Sequence, residues 1–175
     1  MNGPFVVGID LSSKQIDFAF VDENEDTVHW MTGVLEGQGA WERTLTIGNM
    51  HDLNQGIWES VYLVAIEAPY GRGQSGTLAI LNRVVGAVAS SLPPHLRKLE
   101  RCWIARPDEW KRGLGLKAKP TRDDVAARLR PRYAWEQIPD DQNALDAACI
   151  ALWARNENAR GIAAALNPPT GKAAA

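Results

Sequence analysis

The chain has 175 residues and a mass of 19.2 kDa, the size of one domain. With 45% hydrophobic and 23% charged residues it can build a core and does not read as disordered. A net charge of −2 excludes a protein that holds nucleic acid by bulk positive charge, though not one with a local basic face. Cys102 and Cys149 form no CxxC pair, and His29, His51 and His95 are scattered. These spacings exclude a structural zinc site and an HExxH metal site, and unpaired cysteines suit a reducing compartment. The opening Met1-Asn2-Gly3-Pro4 lacks the basic and apolar regions of a signal peptide, and no apolar run approaches the roughly 18 residues of a membrane span. The expectation is a soluble cytosolic protein with no membrane partner.

Charge is unevenly placed. Residues 1–60 carry 2 basic and 10 acidic side chains, whereas residues 97–132 carry 12 basic and 5 acidic. The basic stretch reads either as a phosphate-binding face or as an ordinary solvated surface.

Residues 5–9, Phe-Val-Val-Gly-Ile, are short, apolar and β-branched, which predicts a buried central strand ended by Asp10. A turn over 11–14 leads to a second strand over 16–21, and the acidic turn 22–26 to a third over 27–34. Trp41, Leu45, Ile47 and Leu53 predict a helix over 38–57, interrupted by Gly48 and Asn49. Residues 61–66 are another buried strand, ended by Glu67. Leu78, Leu81, Val84, Val85 and Val88 give a helix over 75–92, in which Gly86, Ala87 and Ala89 permit close approach of another helix. A fifth strand covers 101–105, and short helices cover 108–112 and 122–129. Pro139-Asp140-Asp141 opens a last helix to about Arg155 with an Asp N-cap. The order predicts an α/β fold. It has a mixed five-stranded sheet, three antiparallel strands then parallel ones, with helices on both faces. One domain spans 1–166, followed by a loose tail over 167–175.

Two apolar strands each deliver one acid, Asp10 and Glu67. If the strands pair in parallel, both acids emerge at one sheet edge, where α/β folds place their sites. Asp146 lies on a helix that is apolar nearly all round, so it needs a partner or a cation. Asn143, three residues earlier, shares its face. Each acid singly has a bland reading as a turn acid, an ion-pair partner or a hydrogen-bonded core acid. Three carboxylates within about 5 Å repel strongly at low dielectric, and a divalent cation removes that penalty. Oxygen-only ligands suit Mg²⁺ or Mn²⁺, and two such ions about 4 Å apart serve in-line phosphoryl displacement.

The chain resembles the RuvC-type Holliday-junction resolvases of the RNase H-like superfamily over roughly residues 5–155. The carriers are Val7-Gly8-Ile9-Asp10, Ala65-Ile66-Glu67-Ala68-Pro69, Asn82-Arg83-Val84-Val85-Gly86 and Ala144-Leu145-Asp146-Ala147. The resemblance implies an endonuclease that resolves four-way or other branched DNA, in a bacterial or phage-infected cell. It implies catalytic metal ligands at Asp10, Glu67 and Asp146, with two Mg²⁺ or Mn²⁺ ions, leaving a 3′-hydroxyl and a 5′-phosphate. It also implies a homodimer through the helix over 75–92.

One position departs from the family, where Asp or His usually stands and this chain has Asn143. Its amide oxygen can ligate a hard cation but adds no charge. Asp141 is the other candidate fourth ligand, against a capping role for Asp140 and Asp141. The family's two lysines eleven residues apart match Lys111 and Arg122, the second a fork rather than a point charge. Lys117 and Lys119 lie between them, either tracking phosphate or as plain surface charge. Tyr70 holds the place of a junction-unstacking aromatic, or else packs on its own loop. The seven tryptophans form no stripe and read mostly as core; Trp110, beside Lys111, reads either as a DNA contact or, more strongly, as core. Two other readings compete. One is a junction-binding module whose site has decayed at Asn143. The other is an actin-like nucleotide-binding lobe, suggested by Gly8-Ile9-Asp10 and its Ser-rich turn but disfavoured by the chain's single-lobe size.

Overall fold

The computed structural model describes residues 4–12, 14–23, 27–36, 42, 47, 55–69, 75–131 and 139–166. The sheet has five strands in the order β3-β2-β1-β4-β5. β1 (Phe5–Leu11), β2 (Gln15–Asp22) and β3 (Val28–Val34) form an antiparallel meander. β4 (Val61–Glu67) pairs with β1 in parallel, and β5 (Cys102–Ala105) pairs with β4 in parallel. The expected mixed sheet is present. The helices are α1 (Gln55–Trp58), α2 (Ser75–Ser91), α3 (Pro107–Gly113), α4 (Arg122–Leu129) and α5 (Gln142–Leu166).

Strand alternation divides the core into two layers. Phe5, Val7 and Ile9 of β1 face one way with Phe18 and Phe20 of β2, against Trp58 of α1 and Val84 and Val88 of α2. Trp58 meets both phenyl rings edge-on. Val6 faces the other way with Ala19, Val21, Leu63 and Ala65. This layer is closed by α5, by Trp110 of α3, and by Val125 and Leu129 of α4. A strand covered on both faces reads as a continuous apolar run, which is why 5–9 was legible as central.

α5 lies across β1, β2 and β4 and buries Ala144, Ala147, Ala148, Ala151 and Ala154. Such small side chains let the helix backbone descend onto the sheet, and Gly8 is where it touches. A Cβ built on Gly8 falls 1.9 Å from the Ala147 carbonyl oxygen and 2.5 Å from the Ala151 nitrogen. Both are backbone atoms, so no rotamer change relieves the clash.

Two expectations are revised, and a third is described only in part. β1 continues one residue past Asp10, because its ladder with β2 runs on through Asp10↔Asp17 to Leu11↔Ile16. α5 does not stop near Arg155 but runs to Leu166. The apolar pattern ends there, yet the Ala-rich sequence sustains a helix, with an exposed Glu157–Arg160 pair one turn apart. Of the helix predicted over 38–57, the last turn forms as α1 and Ile47 is buried. Trp41, Leu45 and Leu53 lie outside the described residues, as does the predicted tail over 167–175.

Because the Gly8 contact is backbone on backbone, Gly8→Ala is expected to lower stability by about 3 kcal/mol, the upper end for overpacking. The readout is the urea midpoint, and a midpoint equal to that of the parent chain contradicts the packing described.

Candidate active site

The parallel ladder between β1 and β4 ends at Ile9↔Ile66. One residue further on, Asp10 and Glu67 leave the two strands side by side. By alternation both lie on the α5 face, with Gly8 and Ala65. The seating of Ala147 on Gly8 brings the neighbouring Asp146 to the same place. A cavity of about 300 Å³ opens there, lined among others by Asp10, Glu67, Asp146, Asn143 and Lys111. The sequence-predicted trio, drawn from two strands and the last helix, therefore shares one pocket.

Each carboxylate is already engaged. The Leu11 N–H donates to Asp10 Oδ1 at 2.9 Å. The Asp10 carboxyl is nonetheless pushed up to about 9, first by burial, then by its hydrogen bond with Glu67, then by the charges of Glu67 and Asp146. Burial and the neighbouring acids thus favour the uncharged form of Asp10. Asp146 is pushed up to about 6 by burial, against a lowering by Gln142 and Lys111. The Gln142 amide donates to Asp146 Oδ1 at 2.6 Å. The indole N–H of the fully buried Trp110 donates to Glu67 Oε1 at 3.0 Å. Lys111 Nζ sits 4.8 Å from the centre of the Trp110 ring, a cation–π arrangement beside the pocket.

No protein-family model and no curated protein sequence matches the chain. Solved structures do. The RuvC structure from Thermus thermophilus aligns with a TM-score of 0.67 at 18% identity, covering 90% of this chain and 96% of that one. The same organism's RuvC in complex with a Holliday junction substrate aligns with a TM-score of 0.69 over the same shares. The yeast mitochondrial Holliday junction resolvase aligns at 0.54 and 14% identity, covering 91% of this chain and 82% of that one. The chain has the fold of the RuvC-type resolvases.

Within this RuvC-type fold the remaining predicted residues separate. Asn143 lines the pocket. Asp141 Oδ1 instead accepts the Asn143 and Ala144 N–H groups, so this carboxylate is spent on capping α5. Asp140 pairs with Arg122, outside the pocket. Lys117 lines a second cavity with Asp124 and Arg128, whose guanidinium donates to the Gly115 carbonyl at 2.8 Å. Lys119 is exposed, and Tyr70 lies outside the described residues. Only Lys111, of the basic residues singled out, lies with the acids.

Three contributors were not read from the sequence. Trp110 is core as expected, at 0% exposure, and what the sequence did not reveal is its hydrogen bond to Glu67. Gln142 stands four residues before Asp146, a helical spacing that does signal contact. Asp17 lies directly across the β1–β2 ladder from Asp10 and is 1% exposed. Gln15 and Thr32 donate to its carboxylate, while burial raises its pKa overall. The hairpin register places it there, and a one-residue slip would turn it to the other face.

Among the described residues, no three His, Cys, Asp or Glu side chains are closed into a ready-made metal cluster. The pocket's chemistry still fits a hard divalent cation. Its donors are carboxylate and amide oxygens, and a proton held by Asp10 stands where positive charge is needed. Asp10 and Asp146 both have folded values above the ordinary 3.8. A raised carboxyl favours the fold fully below its unfolded value and loses that contribution as pH climbs through the folded value. The chelated protein is therefore expected to lose stability steadily from about pH 4 to pH 9, with Asp10→Asn flattening much of the slope. Urea unfolding in EDTA across that range is the check, and a parent profile as flat as that of Asp10→Asn contradicts the electrostatics.

Proposed function

We propose that the chain is a divalent-metal-dependent endonuclease that resolves four-way or other branched DNA, working as a homodimer. The observation that carries this reading is the convergence of Asp10, Glu67 and Asp146 on one pocket in a RuvC-type fold. That Thermus thermophilus RuvC has been seen with a Holliday junction substrate supports junction DNA as the ligand.

Asp10, Glu67, Asp146 and the Asn143 amide oxygen would hold Mg²⁺ or Mn²⁺, two per site. When bound, the ions generate the water nucleophile and stabilise charge on the leaving oxygen. The chain's own groups do the rest. Asp10 would ligate as the carboxylate, its proton passing to solvent. Gln142 and Trp110 hold two of the carboxylates in place. Lys111 supplies a positive charge inside an otherwise acidic pocket, where it attracts a backbone phosphate. Lys117, Lys119 and Arg122 sit on the basic stretch beyond it and would track phosphates of the same DNA. Tyr70, three residues after Glu67, would meet unpaired bases. The products are a 3′-hydroxyl and a 5′-phosphate.

A two-fold dimer would present two such pockets, one for each of two symmetric cuts. α2 buries Val84 and Val88 against the sheet, while nothing lies within 4 Å of a Cβ built on Gly86. That outer side suits a second copy. Cys102 and Cys149 are unpaired, which fits a cytoplasmic setting in a bacterial or phage-infected cell.

Purified protein with a synthetic four-way junction is expected to cleave in Mg²⁺ or Mn²⁺ and to stop in chelator. Asp146→Asn is expected to lower the rate more than about 100-fold, exceeding the loss typical of a residue that merely supports a ligand. Junction binding without any cleavage in either metal would favour the decayed binding module instead. Lys111→Ala is expected to slow cleavage while unfolding at a temperature close to the parent's. A Lys111→Ala protein that fails to fold contradicts the role given to this lysine.

A further inference from the structure

We propose that Trp110 is a positioning residue of this site: its indole N–H fixes the Glu67 carboxylate while its ring face steadies Lys111 beside the same pocket. The inference rests on the metal-dependent reading above and deepens it.

Glu67 pairs with Ala105 at the end of the β4–β5 ladder. The chain turns directly from Ala105 through Arg106 into α3, which carries Trp110 back over Glu67. The indole is 0% exposed and packs in the layer with Val125, Leu129 and Leu145. Its N–H can only donate, and in a dry core it pairs with Glu67 Oε1 or is left unmet. Core packing therefore fixes the indole, and the indole fixes one carboxylate oxygen. The carboxylate's other lone pairs remain for a cation. The adjacent Lys111 lies over the ring. One rigid side chain thus touches both an acid and a cation of the pocket.

The test uses the intact chain and calorimetric binding of Mn²⁺. Trp110→Phe keeps an aromatic face for Lys111 and removes the N–H. Trp58→Phe removes a buried indole from the opposite layer and serves as the control for lost packing. Trp110→Phe is expected to bind Mn²⁺ about tenfold more weakly than the parent, the size seen when a ligand loses its supporting hydrogen bond. Trp58→Phe is expected to keep the parent affinity although it too unfolds more easily. Equal affinity in Trp110→Phe and parent overturns the proposal, as does an equal loss in Trp58→Phe. A parent that binds no Mn²⁺ overturns the metal reading, and this inference with it.

A second measurement covers the case in which Trp110→Phe does not fold. Each of the seven tryptophans carries one indole N–H, which ¹⁵N–¹H spectra observe. One of them is expected to move both on Mg²⁺ saturation and in Glu67→Ala. Signals that leave no indole responding to both changes overturn the proposal.

Discussion

Repulsion among carboxylates governs this molecule. Asp10, Glu67 and Asp146 line one pocket, and burial is the largest influence on both Asp10 and Asp146. Negative charges close together in a poorly solvated place disfavour one another, and the fold meets this in two ways. Burial and the neighbouring acids raise the Asp10 carboxyl well above its ordinary range, which favours its uncharged form. The carboxyl oxygens are also held by donors: Trp110 on Glu67, Gln142 on Asp146, the Leu11 amide on Asp10.

The geometry that gathers these groups is built into the backbone. Parallel pairing of β1 with β4 brings two acids to one edge, and the antiparallel hairpin adds Asp17 across from Asp10. The third acid arrives from a helix far along the chain, and its height above the sheet is set by Gly8 against Ala147 and Ala151. Any larger residue at position 8 lifts the helix, and with it Asp146. The alanines of α5 and the single glycine of β1 are thus as much a part of the site as its acids.

Much of this was legible beforehand. The apolar runs over 5–9 and 61–66 announced central strands, and the acids that follow them announced an edge. The nearly all-apolar helix carrying Asp146 announced an unusual burial. What pattern could not supply was third-dimension contact between segments distant in sequence. Trp110 and Glu67 are 43 residues apart, so no local rule pairs them. Gly8 gives no periodic signal, since its role depends on a helix about 140 positions later. The end of α5 was misplaced for the opposite reason. Helix propensity outlasted the amphipathic pattern, so the helix continues where the burial signal stops. Capping, by contrast, was read correctly from Asp141, because an N-cap depends on residues one to three positions away.

The central claim is that these carboxylates together form a seat for a hard cation. A crystal soaked in Mn²⁺ and measured at the manganese absorption edge tests it most directly. The account predicts anomalous density in the pocket, bonded to oxygens of Asp10, Glu67 and Asp146 at about 2.2 Å. Manganese seen only elsewhere on the protein, with Asp10 still hydrogen-bonded to Glu67, would contradict it.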